Sequence, residues 1–154
     1  MFTKEERKAF NEAYWKEFRS YIRNTPNSNG SKINWLNYPT ETKLLYIRLS
    51  VDSKKAEFSV DIQSKDDGIR SIIWEQLLEL KVVLESEMPS EGTWIEERLN
   101  QARQPISSII WELSNVSQFK SDDKKHIFTF FEKHLIRFDA FYQEYKDIIL
   151  NLIK

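Results

Sequence analysis

Apolar residues first recur at helical spacing along this chain, then switch to strict alternation, and those switches mark out its elements. Phe10, Tyr14, Phe18 and Tyr21 follow one another at steps of four, four and three, which is one face of a helix. Thr3 and Glu6 match a capping box, in which each side chain satisfies a free backbone N–H of the first turn. The pattern therefore predicts a helix to about Arg23, stopped by Asn24 and Pro26. Lys16, Arg19 and Arg23 lie on its other side and read as a solvated face.

Leu45, Ile47, Leu49 and Val51 alternate with Leu44, Tyr46, Arg48 and Ser50; Ala56, Phe58, Val60 and Ile62 alternate with Lys55, Glu57, Ser59, Asp61 and Gln63. Period-two alternation predicts half-buried antiparallel strands, and Asp52-Ser53-Lys54 supplies the turn of a hairpin. One face meets the core and the other presents Tyr46, Arg48, Glu57, Ser59 and Asp61. Asp66 or Asp67 caps a following helix whose buried stripe is Ile69, Ile73, Leu77, Leu80 and Leu84, broken near Met88 to Gly92. Trp94 to Leu99 alternates weakly, with Ile95 and Leu99 on one side and Trp94, Glu96 and Arg98 on the other. Ile106 to Ser114 reads as its hairpin partner, although Ser107 to Leu113 also fits a helical turn.

Ser121 or Asp122 caps the last helix, whose stripe runs through Phe128, Phe131, Leu135, Phe138, Tyr142, Tyr145, Ile149 and Leu152. Ile127, Phe130, Phe141 and Ile148 widen it beyond a coiled-coil seam. At ~1.5 Å per residue such a helix is roughly 45 Å long. It either wraps across the sheet or projects and finds a partner. The order α-β-β-α-β-β-α predicts an α+β fold: one antiparallel sheet of two hairpins, helices packed on one face, and a single domain over residues 1–154.

Composition narrows the chemistry. Lys and Arg total 23 against 24 Asp and Glu, a net charge of −1, which excludes a wholesale basic surface. The chain has no Cys, which excludes disulfides, thiolate metal sites and a Cys nucleophile. Its three Gly leave no Walker loop, no dinucleotide fingerprint and no Gly-x-Ser-x-Gly elbow. His126 and His134 are two helical turns apart, about 12 Å of rise, too far to share a metal. The N-terminal run Met1 to Lys8 is charged and lacks a signal peptide's apolar stretch, and no segment is apolar enough to span a bilayer, so the expected place is the cytoplasm and no membrane partner is expected.

No catalytic, cofactor or metal residues are assigned. Asp61 near Glu57 and Asp52 offers a weak acidic pattern for a metal-dependent hydrolase, but Gln63 stands where a second acid belongs. The working surface expected instead is the long 25–40 connection, with Lys32, Asn34, Trp35 and Tyr38, plus the adjacent strand face with Tyr46, Arg48 and Asp61. Connections of that length are uncommon in compact domains and often functional. Trp35 reads either as a plug over the core edge or as a ligand contact. The leading expectation is a non-catalytic binding or interaction module that self-associates as a homodimer through the last helix or meets a protein partner. Nucleic-acid binding, with Arg48 and Lys32 on phosphates and Tyr46 stacking, is the alternative.

The run Ser31-Lys32-Ile33-Asn34-Trp35-Leu36-Asn37-Tyr38-Pro39-Thr40, the first hairpin through Asp61-Ile62-Gln63, the Gly68-Ile69-Arg70 helix start, Trp15-Lys16-Glu17-Phe18 and the aromatic last helix together resemble a bacterial family of unknown function, DUF4268. The resemblance covers nearly the whole chain. Relatives typically carry Gly-Ile where Glu41-Thr42 stand, and Asp-Trp-Pro where Asp122-Asp123-Lys124 stand. It implies no established activity and no catalytic residues. Members fused behind nuclease-like domains imply a DNA-processing or phage-defence context.

Overall fold

The computed structural model describes residues 2–154; Met1 lies outside the described residues. Helix α1 spans Lys4–Ile22, and its capping box is formed: the Thr3 side chain accepts from the Glu6 N–H, and Glu6 returns to the Thr3 N–H. Tyr14 and Phe18 are buried as the spacing predicts, whereas Tyr21 is exposed, donates to Glu132, and leaves the last buried position to Ile22. The connection that follows is pinned rather than loose. It holds a 3-10 turn at Trp35–Asn37, with Asn34 Oδ1 accepting from the Leu36 N–H at 3.2 Å. Glu41 then adopts φ 68°, the left-handed region that favours glycine.

Strands β1 (Leu45–Val51) and β2 (Lys55–Gln63) form the expected hairpin. Asp52 Oδ1 accepts from the N–H groups of Lys54 and Lys55 at 2.7 and 3.0 Å and so fixes its turn. Strands β3 (Thr93–Leu99) and β4 (Pro105–Ser114) form the second hairpin, so Ser107 to Leu113 is strand and not helix. β4 pairs antiparallel with β2, giving one four-stranded sheet in the order β1-β2-β4-β3.

The helix expected from Asp66 to Met88 is two helices, α2 (Asp67–Glu79) and α3 (Lys81–Glu87). Leu80 divides them: its N–H is shared between the carbonyls of Gln76 and Leu77, which tightens the turn, and no Gly or Pro marks the place. Ile69 is exposed rather than part of the stripe; Arg70 and Trp74 are buried beside Ile73 and Leu77. The rotation sets Trp74 edge-on against Trp94 at 5.5 Å and brings Arg70 to Glu97 at 3.0 Å. Helix α4 (Ser121–Leu152) starts behind Lys120 with no side-chain cap, so neither Ser121 nor Asp122 caps it as expected; Asp123 in its first turn accepts from the Ser117 N–H.

The helices lie on one face of the sheet. Phe138 and His134 of α4 meet Phe58 at 6.0 and 5.7 Å, and Phe18 of α1 packs on Phe128 and Phe131 of α4. α4 is buried from Ile127 to Ile149, so it lies along the core instead of projecting from it. The α+β class, the two hairpins and the long C-terminal helix are therefore as the pattern implied. Among the described residues, no helix is long and apolar enough to cross a membrane.

A candidate binding trough on the open sheet face

Side chains alternate across the sheet. Leu45, Phe58, Val60, Ile109 and Trp111 point to the helices and are buried among them. The opposite face bears Tyr46 and Arg48 from β1, Ser59, Asp61 and Gln63 from β2, and Ile106 and Ser108 from β4. β3 adds Arg98 by way of an irregularity. The register shifts between Ile95 and Arg98, so both side chains reach the outer face although a plain alternation separates them. Arg98 thus leaves the side that its spacing from Trp94 predicted.

Arg48, Ser59, Asp61, Gln63, Arg98 and Ile106 line a trough of about 730 Å³ that crosses the outer face. Trp15 and Leu36 stand at its β1 end and the Asn100–Gln104 loop at its β3–β4 end. Asp61 lies at its floor and is only 2% exposed. Arg48 Nη1 donates to Asp61 Oδ2 at 2.8 Å, Ser108 Oγ donates to Asp61 Oδ1 at 2.7 Å, and Arg98 Nη2 stands 3.6 Å from that same oxygen. Arg98 Nε also donates to Ser108 Oγ at 2.9 Å, and Arg48 Nη2 to Gln63 Oε1 at 2.9 Å. The Arg48 guanidinium lies 4.6 Å from the Tyr46 ring centroid, a cation–π contact that limits its freedom. Gln63 reaches Gln104 at 3.4 Å, and both also line a second cavity of about 480 Å³ with Lys43, Lys65 and Arg70. Arg70 is balanced there by Asp67 and Glu97.

Of the seven residues singled out from sequence, Tyr46, Arg48 and Asp61 come together here, but Asp61 is covered rather than presented. Trp35 and Tyr38 lie in the core, Trp35 as the plug that is one of its two readings. Trp35 is 3% exposed with Nε1 donating to the Thr25 carbonyl, and Tyr38 is 5% exposed with its hydroxyl donating to Asp139. Aromatic side chains in a loop gain most by burial, and here each also finds an acceptor. Lys32 and Asn34 are exposed on the connection, Asn34 capping the 3-10 turn; neither lines the trough, which the connection reaches through Leu36. The residue missed is Arg98. Its only sequence signal was the weak alternation of β3, which is what a bulged edge strand looks like.

No group of three or more His, Asp or Glu converges among the described residues in a way that would hold a metal ion. His126 is exposed and His134 is in the core. Both Asp61 oxygens are engaged by arginine or serine donors.

A sheet with one helix-covered face and one outer face crossed by an arginine-lined trough makes this a two-layer α+β fold. Residues 10–146 match the family described as a domain of unknown function, DUF4268, and the chain belongs to that family. No curated protein and no solved structure matches it.

Proposed function

We propose that this chain is a non-catalytic binding module and that its ligand lies across the open sheet face. One observation carries the reading: Arg48 and Arg98, from opposite edge strands, stand partly exposed over a buried carboxylate in a trough of about 730 Å³. Ligand sites are concave, with a few fixed polar groups, and this trough fits that description. Asp61 is enclosed by cations, which argues against a metal-dependent hydrolase built on it. The test compares what co-purifies with the full chain and with an Arg48→Ala/Arg98→Ala variant of equal helicity. A small molecule, nucleic acid or protein retained by the first and lost by the second supports the reading. Identical sets overturn it.

Nucleic acid is the second reading, favoured by the continuation of the trough to Lys43 and Lys65. Binding of a short single strand would then weaken steeply with salt, and Arg48→Ala would lower the slope by about one. Self-association is the proposal that the structure supports less, because α4 spends its stripe from Ile127 to Ile149 on its own core. Sedimentation at high concentration decides it, and a strict monomer removes it.

A further inference from the structure

We propose that Arg48 and Arg98 form a phosphate-ester site, positioned by Asp61 and flanked by the amides of Gln63 and Gln104; this rests on the open face being the binding surface. Two guanidiniums share one carboxylate, so the floor of the trough carries an excess positive charge. The arrangement is layered. Asp61 is 2% exposed, whereas the Arg48 and Arg98 side chains are 40% and 35% exposed, so an entering group meets the cations and not the acid. Glu57, the other acid on the wall, shares Lys55 with Glu112, at 3.2 and 3.3 Å, and is held on the strand away from Asp61.

Donor capacity is left over. A guanidinium carries about five N–H donors. Arg48 commits two, to Asp61 and Gln63, and Arg98 commits one, to Ser108. The remaining donors come from the two edge strands, β1 beside β2 and β3 beside β4, and so flank Asp61 from opposite sides. A planar carboxylate suits a single fork, but the tetrahedral oxygens of a phosphate accept from divergent donors at once. The carboxylate beneath holds both side chains in place beforehand, which lowers the ordering cost on binding.

A phosphate ester reaches such a site either as a free nucleotide or as part of a nucleic-acid strand. A strand would continue past Gln63 and Gln104 into the second cavity, toward Lys43 and Lys65, and a mononucleotide would not.

The experiment is an amide-resolved NMR titration of the full 15N-labelled chain at low salt with inorganic phosphate, AMP, adenosine and a short oligothymidylate. Phosphate and AMP are expected to move the amides of Arg48, Gln63, Arg98 and Gln104, and adenosine is not. Arg98→Ala leaves Asp61 paired with Arg48 and is expected to weaken AMP about tenfold at unchanged melting temperature, with Arg98→Lys in between. Lys43→Ala/Lys65→Ala is expected to weaken the oligonucleotide alone if the source is a strand, and neither ligand if it is a nucleotide. No shift at those amides with any phosphate compound, or equal affinity in Arg98→Ala, overturns the site. Adenosine moving the same amides as AMP overturns the phosphate assignment while the open-face reading stands. Silence at the face together with co-purification indifferent to Arg48→Ala/Arg98→Ala overturns both.

Discussion

Tyr38 donates its hydroxyl to Asp139, a wholly buried carboxylate on α4, and so ties the 25–40 connection to a residue 101 positions further along the chain. Asp139 also accepts from the Ser28 N–H at 2.7 Å and from Gln143 Nε2 at 3.2 Å. A buried carboxylate with no cation beside it persists because these donors replace its water. Burial first, and the neighbouring carboxylate second, push the Tyr38 phenol far above its ordinary range, so it stays a donor. Tyr38→Phe should cost about 1–3 kcal/mol, and Asp139→Ala more, since it strands several donors at once. Urea denaturation of the single and double variants measures both. Additive losses would mean that the two residues do not act through one bond.

His134 makes folding sensitive to mild acid. Its Nδ1 lies 2.8 Å from the Phe130 carbonyl, which assigns the proton to Nδ1 and leaves Nε2 buried without a partner. Phe58, Phe130 and Trp111 surround the ring. Burial holds its pKa below the ordinary 6.5, with Lys133 adding to the effect and the Phe130 carbonyl opposing it. The folded state therefore binds this proton less readily than the unfolded chain. Its contribution is complete above the unfolded value and is lost as pH falls from about 6.5 through the folded value. Denaturation midpoints should drop between pH 7 and pH 5, and His134→Phe should flatten that slope. An equal slope in the variant would place the acid sensitivity elsewhere.

The elements that sequence disclosed are those in which one local rule decides. Alternation from Leu45 to Ile62 leaves a hairpin as the only way to bury one side, and the capping box at Thr3 fixes where α1 begins. The helix break at Leu80 carries no local signal, because it is set by tertiary packing: α2 docks on β2 and β4, whereas α3 packs on α4. Trp35 and Tyr38 look alike in sequence whether they face a ligand or the core. What decides is Thr25 for one and Asp139 for the other. Arg98 was hidden for a related reason. A single extra residue in an edge strand reverses every face assignment beyond it.

Gly92 is closed to any larger residue. A Cβ there would stand 2.8 Å from Ile109 Cγ2 and 2.9 Å from the Trp111 ring, both buried in the sheet's inner face. Its N–H donates to Glu85 Oε2, which also accepts from Trp94 Nε1, so the backbone has little room to retreat. Gly92→Ala should destabilise by about 1–3 kcal/mol through overpacking. Thermal melts followed by Trp fluorescence would report it. A melting temperature equal to wild type would show that Ile109 and Trp111 give way freely.

Asp61→Asn removes the carboxylate that Arg48 and Arg98 share, the one acid paired with either among the described residues. Removing one partner of a fully buried pair costs about 3–5 kcal/mol. Here the arginines are 40% and 35% exposed, so water screens part of the repulsion and about 1–2 kcal/mol is the expected loss. The same substitution strengthens the field that an anion feels. Phosphate buffer should therefore restore more stability to Asp61→Asn than it adds to the wild type, relative to chloride at equal ionic strength, because a bound oxyanion takes over the role of the missing carboxylate. Melting temperatures in the two buffers, for both proteins, give the comparison directly. An equal phosphate effect would mean that the arginines find their counter-charge elsewhere and that Asp61 does not organise them.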